Sequence, residues 1–311
     1  MPPPTIGIHH VTAIGGAPEP TLSFYRTTLG FRLVKRTVNF DDPTTYHLYF
    51  GDRIGSPGSI LTFFPMPDAP PGRPGGGQVV TTRLAVPSGS LGWWTDHLEA
   101  ADVEVDRRTT FDEPILRIAD PDGLAIELTE RDIDAPVHRG VVPSARAIRG
   151  LDGITVRSTA PDDTADVLEH LGLEQVDRGG DRRRLVAGGD RGAMVDVLAD
   201  AGDPGRMGPG TVHHVAFRVP DDEAQAAWQA DLRDAGHRVT DVRDRQYFRS
   251  IYFREPGGIL FELATDGPGF DRDEPVDALG ETVQLPPWLS DDRERIVAGL
   301  PNLPTETPGA P

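Results

Sequence analysis

Asp120-Pro121-Asp122-Gly123-Leu124-Ala125-Ile126-Glu127-Leu128 and Glu255-Pro256-Gly257-Gly258-Ile259-Leu260-Phe261-Glu262-Leu263 align without a gap. Each reads as an acid, a proline, a glycine turn, and then an apolar strand with a carboxylate in its middle. Self-similarity of this kind marks an internal repeat and sets the architecture. Working outward, Leu29-Gly30-Phe31 and Leu171-Gly172-Leu173 close two helices alike, each with a glycine where a C-cap belongs. The 35 glycines and 30 prolines cut the 311 residues into short segments. Between those stops one order recurs four times: a strand, a helix, three short strands. The spacing predicts opening strands at 8–14, 81–86, 153–158 and 212–219. Helices follow at 22–29, 91–100, 162–171 and 222–235, and closing strands at 59–64, 124–130, 193–198 and 259–265.

One βαβββ module cannot bury both faces of its curved sheet, so modules pair. The expected fold is α+β, four modules forming two cup-shaped half-barrels. The expected divisions are 1–135 for modules 1 and 2, 136–150 as linker, 151–266 for modules 3 and 4, and 267–311 as a tail. A short helix over 291–300, capped by Ser290 and anchored by Trp288, suits a lid over a cup or a subunit contact. The Pro/Gly-rich stretch 65–77 lacks the spacing of a phosphate cradle and reads as a loop.

Composition narrows the function. Hydrophobic residues at 37% and charged residues at 26% are those of a globular chain, and the net charge of −18 disfavours a nucleic-acid partner. With no cysteine, disulfides, thiolate metal sites and thiol nucleophiles are excluded. No apolar run approaches the ~18 residues of a membrane span, and no secretory signal opens the chain. A cytoplasmic protein acting on small molecules is expected, and an open half-barrel edge suggests a homo-oligomer.

Four of the nine histidines form two tandem pairs, His9-His10 and His213-His214, each inside the opening strand of a module. A lone strand histidine is ordinarily structural; two pairs at homologous repeat positions are not so easily dismissed. Strand alternation puts Val215, Phe217 and Val219 on a core face with His213, and turns His214 into the cup. By the repeat, His10 and Thr12 also face inward. In the last strand Phe261 and Leu263 pack while Glu262 faces the cup, where a carboxylate is costly unless paired or metal-bound. His10, His214 and Glu262 thus form a candidate set of two imidazoles and one carboxylate, the facial triad of non-haem Fe(II) oxygenases. A +2 ion with one carboxylate leaves net positive charge to attract a phenolate. Glu127 has no histidine partners and reads as structural, so the cup must join modules 1 and 4, the two ends of the chain. His47 reads first as structural, with the pocket border as its alternative, and His97, His138, His170 and His237 read as solvated. Trp93-Trp94 reads as core.

The words Ile8-His9-His10-Val11-Thr12, the run 31–41, Tyr46-His47-Leu48-Tyr49-Phe50, the runs 210–217 and 244–258, and Leu285-Pro286-Pro287-Trp288-Leu289 cover nearly the whole chain. In them the sequence resembles the ring-cleaving dioxygenases of the vicinal oxygen chelate superfamily, hydroquinone-type branch. The resemblance implies Fe(II), with Mn(II) as a substitute, and O2-dependent opening of a para-dihydroxylated aromatic ring. It implies His10, His214 and Glu262 as ligands, and active-site roles for Thr12, Arg245, Tyr252, His9 and His213. Alternation aims His9 and His213 away from the cup, so both need a bulge or an indirect contact. Tyr252 is expected beside Glu262, as donor or proton relay, and Arg245 as a cation for developing negative charge. Other readings are a catechol extradiol dioxygenase, a glyoxalase-like metal isomerase and a non-catalytic aromatic-binding resistance protein. The isomerase normally needs a carboxylate from each half, and the run 59–64 carries none.

Overall fold

The computed structural model describes residues 2–303. Module 1 comprises β1 (Ile8–Gly15), α1 (Pro18–Ser23), β2 (Arg32–Asn39), β3 (Asp42–Gly51) and β4 (Ile60–Pro65). Module 2 comprises β5 (Gln78–Val86), α2 (Leu91–Ala100), β6 (Asp106–Thr110), β7 (Glu113–Ala119) and β8 (Ala125–Glu130). Module 3 runs through β9 (Gly150–Arg157), α3 (Pro161–His170), β10 (Glu174–Gly179), β11 (Arg182–Val186) and β12 (Met194–Leu198). Module 4 runs through β13 (Thr211–Val219), α4 (Asp222–Asp234), β14 (Arg243–Asp244), β15 (Arg249–Arg254) and β16 (Leu260–Thr265).

Two eight-stranded sheets result. One has the order β14-β15-β16-β13-β1-β4-β3-β2, the other β10-β11-β12-β9-β5-β8-β7-β6. Antiparallel pairing of β1 with β13 joins modules 1 and 4, and β5 with β9 joins modules 2 and 3. The α+β fold of paired modules is therefore the expected one, and the chain's two ends close one cup. Their helix-covered faces share one apolar core holding Trp94, Trp228, Phe217 and Phe261. Each buried indole N–H finds a carbonyl, Trp94 that of Arg146 and Trp228 that of Pro3, both at 3.0 Å.

Module pairing across the sheet is complemented by clamps along the chain. Asp120 accepts the backbone N–H groups of Asp122 and Leu124 in its own turn and the Tyr25 hydroxyl of module 1. Glu255 accepts Gly257 and Ile259 N–H groups and the Thr164 hydroxyl of module 3. The two repeated acids thus tie 1 to 2 and 3 to 4. Tyr25 is carried inward by a π-helical turn, Phe24–Thr28, which replaces the second half of the expected regular helix.

The linker is packed rather than loose: Val142 and Ala147 are buried. Val142 Cγ2 lies 2.7 Å from where a Cβ on Gly30 would stand, and Gly30 has φ +75°, so glycine is required there twice over. The tail straps across module 1. Val283 bridges Arg36 at the sheet edge, and buried Lys35 lies between Asp273 and Glu274, 2.5 Å from each. A 3-10 turn, Pro287–Asp292, precedes α5 (Arg293–Gly299), shorter than expected. Ser290 is not its cap: its hydroxyl donates back to the Pro287 carbonyl. Trp288 meets Phe40 edge-on, ring centroids 5.6 Å apart, though half exposed. The end of the tail, 304–311, lies outside the described residues. Among the described residues no helix is long and apolar enough to cross a membrane.

Candidate metal centre and aromatic pocket

The tandem histidines owe their placement to β-bulges. Along β1 and β13, Ile8 pairs with Phe217 but His10 with Ala216, leaving His9 as an extra residue. Thr12 pairs with His214 but Ala13 with Val212, leaving His213 extra. The same slip recurs between β5 and β9, where Val80 and Asp152 are the extra residues. All four opening strands therefore carry a bulge near their start, and only its occupant changes. A bulge breaks strict alternation, so two consecutive side chains reach toward one side. This corrects the expectation that His213 turns into the core: it lines the cavity beside His214. His9 stays behind His10, buried against Phe248 with ring centroids 5.0 Å apart.

His10, His214 and Glu262 come together from β1, β13 and β16, with one ligand atom from each lying within 4.8 Å of the others. Among the described residues they are the one such buried group of three. Glu262 Oε1 accepts a short hydrogen bond from Ser250 Oγ. Glu262 Oε2 is 2.9 Å from His214 Nε2 and 3.4 Å from His10 Nε2. Neither approach has hydrogen-bond geometry, and Oε2 is a buried carboxylate oxygen without a donor. Such an orphan is costly in a protein interior. A divalent cation among these three atoms removes that cost, so the residues fit a metal ion. Burial raises the Glu262 pKa, but His10 and His214 outweigh it and hold the carboxyl well below its usual range. Burial lowers His214, partly offset by Glu262. Glu262 is therefore a carboxylate and His214 a neutral imidazole, the states a cation needs.

Over this group opens a cavity of about 330 Å³ whose walls include Phe40, His47, Phe64, His213, Arg245, Phe248, Tyr252 and Leu260. Tyr252 pairs directly with Glu262 across β15 and β16, as expected from the turn that joins them. Arg245 donates through Nε to the Tyr252 hydroxyl at 3.0 Å and through Nη1 to Asp41 at 2.9 Å. Burial raises the Tyr252 pKa, so its phenol is protonated. Burial also brings His213 down to about 4, so at neutral pH it is an uncharged imidazole. Thr12 is fully buried beneath the cavity, opposite His214, and takes a hydrogen bond from Thr62 at 3.2 Å.

Two residues of the site, one in the cavity wall and one behind Glu262, were not among the candidates. His47 is a cavity residue, bonded to Thr62 at 2.5 Å and Tyr49 at 2.8 Å, with its ring over Phe64. Ser250 orients Glu262; it lies two residues before Tyr252, and alternation from Tyr252 was the available signal. The histidines read as solvated are partly engaged: His97 stacks on Trp93 and meets the Thr28 carbonyl at 2.8 Å, and His170 pairs with Asp231.

The other cup is filled differently. At the positions of the two ligand histidines stand Thr81 and Gly153, each following its bulge. Glu127 is held by Arg83 at 3.4 Å and Arg117 at 3.2 Å, and Asp196 by Arg184 at 2.8 Å. Guanidinium groups occupy the space beside these carboxylates, which accounts for Glu127 structurally. A larger cleft, about 1140 Å³, lies between module 1, the linker and the tail.

The Glyoxalase/Bleomycin resistance protein/Dioxygenase superfamily profile matches residues 7–128 and 150–263. The chain is 47% identical over 306 residues to "Putative ring-cleaving dioxygenase MhqO" of Bacillus subtilis (strain 168), covering 97% of each. It is 35% identical over 310 residues to "Chlorohydroquinone/hydroquinone 1,2-dioxygenase" of Sphingobium indicum, covering 96% of each. The crystal structure of a "putative dioxygenase" from Bacillus subtilis superposes with TM-score 0.95 at 46% identity, covering 97% of this chain and 99% of that one. Glyoxalase I from Zea mays shares the fold, with TM-score 0.62 at 14% identity, covering 84% and 92%. With its modules, its bulged histidine strands and these relatives in agreement, the chain belongs to the Glyoxalase/Bleomycin resistance protein/Dioxygenase superfamily, and within it to the ring-cleaving dioxygenases.

Proposed function

We propose that this ring-cleaving dioxygenase holds Fe(II), replaceable by Mn(II), on His10, His214 and Glu262, and opens a hydroquinone-type ring with O2. The observation that carries the reading is the buried, donorless Glu262 Oε2 facing two imidazole Nε2 atoms. Bound there, Fe(II) supplies Lewis acidity and a redox centre for O2. The rest is done by the chain. Phe64, Phe248 and Leu260 give apolar walls to a cavity sized for a single ring. Tyr252 accepts from Arg245, so its own O–H is left to donate to a substrate oxygen. Arg245, permanently charged, favours negative charge developing on that oxygen. Hydroquinone cannot chelate through adjacent oxygens as catechol can, so anchoring by wall residues matters more. The isomerase reading is disfavoured because the position in β4 matching Glu262 is Thr62, engaged with His47 and Thr12.

Oxygen uptake after anaerobic Fe(II) loading, with hydroquinone, methylhydroquinone and catechol in parallel, tests this. About one O2 per hydroquinone is expected, with little response to catechol. Glu262→Gln should lose Fe(II) affinity by more than about 100-fold, beyond the scale for outer-shell partners. Uptake with catechol alone keeps the metal assignment and overturns the hydroquinone one. Silence with all three, despite bound iron, overturns the reaction.

A further inference from the structure

Each ligand histidine is bonded to the histidine before it through like atoms. His9 Nδ1 meets His10 Nδ1 at 2.9 Å, and His213 Nδ1 meets His214 Nδ1 at 2.7 Å. Between two neutral imidazoles such a contact needs one N–H and one lone pair. His10 and His214 turn their Nε2 atoms toward Glu262. A ligand nitrogen must offer a lone pair, so the ring proton of each ligand sits on Nδ1. That makes His9 and His213 the acceptors and places their own protons on Nε2. His9 is buried behind His10 against Phe248, with ring centroids 5.0 Å apart, and is not part of the cavity wall. His213 differs. Its Nδ1 is used by His214, no described group takes its Nε2–H, and it lines the cavity facing Phe64 at 5.9 Å between centroids.

We propose that each bulged histidine sets the tautomer of the ligand that follows it, and that His213, unlike His9, also presents its Nε2–H to a substrate oxygen. The bulge is what makes this possible, since without it consecutive strand side chains face opposite ways. His9 is then a positioning residue. His213 is one too, with a second role in binding the ring. This rests on the reading of His10, His214 and Glu262 as metal ligands, and deepens it.

Four variants separate the roles. Asparagine places an oxygen where imidazole has Nδ1, so it keeps the acceptor and loses Nε2–H; phenylalanine keeps ring volume and loses both. Fe(II) is titrated anaerobically against a chromogenic chelator, without turnover. His9→Phe and His213→Phe should each weaken Fe(II) 10–100-fold, the range for partners that orient a ligand. His9→Asn and His213→Asn should recover most of that loss. With hydroquinone as probe, His213→Asn should raise KM about tenfold more than His9→Asn does. Equal Fe(II) affinity in the Phe and Asn variants overturns tautomer control, and equal KM in the two Asn variants overturns the donor role of His213. If a Phe variant fails to fold by circular dichroism, the comparison of each Asn variant with the unaltered chain still decides: Asn variants that lose 10–100-fold in Fe(II) affinity overturn the proposal. Fe(II) affinities that follow this order, with no ring opening even by the unaltered chain, would count against the reaction and leave tautomer control standing.

Discussion

Asp120 is a buried carboxylate that pulls modules 1 and 2 together. Burial raises its pKa from 3.8 to about 6, even against hydrogen bonds from Leu124 and Asp122 N–H groups. An acid with a raised folded pKa binds more protons folded than unfolded between those two values. Its contribution to stability is therefore greatest below pH 3.8 and declines as pH rises to about 6, a cost of up to about 3 kcal/mol at neutrality. Asp120→Asn keeps an oxygen for the two backbone donors and has no charge to bury. Urea unfolding midpoints should show the variant more stable at pH 7 and its pH dependence flatter between 4 and 6. Lower stability at pH 7 would mean that the charged hydrogen bonds outweigh desolvation. At this scale the sequence was eloquent where a residue recurs: the acids of the two turns, the histidine pairs and Glu262 were all legible from alignment of the repeat. His47 and Ser250 were not, because each acts through partners on neighbouring strands, Thr62 and Tyr49 for one and Glu262 for the other.

Among elements, the bulged opening strand is the unit that decides which side chains a cup receives. His9, Val80, Asp152 and His213 are the extra residues, and His10, Thr81, Gly153 and His214 follow them. Because the side-chain period of a strand is two, deleting the extra residue turns everything on one side of it to the opposite face. Deleting His9 rotates fully buried Ile8 out of the core, a loss of about 2 to 4 kcal/mol, and removes the Nδ1 partner of His10, so Fe(II) binding should weaken about 10–100-fold. Deleting Val80 is the matched control, expected to destabilise likewise while Fe(II) titration of the folded protein stays normal. Thermal unfolding and the same titration decide. A His9 deletion with unchanged Fe(II) affinity would show that the bulge is dispensable for the site. Alternation alone predicted the wrong side for His213, since a bulge is set by pairing with a distant strand and leaves no mark in the local pattern.

Across the whole molecule, the tail couples the cup's edge to a loop that lines its cavity. Asp273 pairs with buried Lys35 of β2 and accepts from the Tyr247 hydroxyl at 2.9 Å. Arg272 donates to the Gln246 carbonyl and the Gly269 N–H to that of Tyr247, both at 2.9 Å. Residues 245–248 are thus held from behind while Arg245 and Phe248 face the cavity. Asp273→Asn should cost about 1–3 kcal/mol, as a buried charge loses one of its two partners. It should also raise KM for hydroquinone several-fold without changing Fe(II) affinity, because His10, His214 and Glu262 are untouched. A stability loss with unchanged KM would show the strap to be structural only. Trp288, expected as an anchor, supports Phe40 at the cavity wall from the same tail.

What the sequence determined by itself was whatever repetition and local chemistry encode. These are the four modules, the turn acids, the pairing of modules 1 and 4 inferred from where histidines occur, and the candidate triad itself. Tertiary structure alone decided the side on which the bulged histidines lie, the filling of the second cup by arginine, the packed linker and the strap. Each depends on contacts between residues far apart in the chain, where register, burial and charge balance are set by the partner.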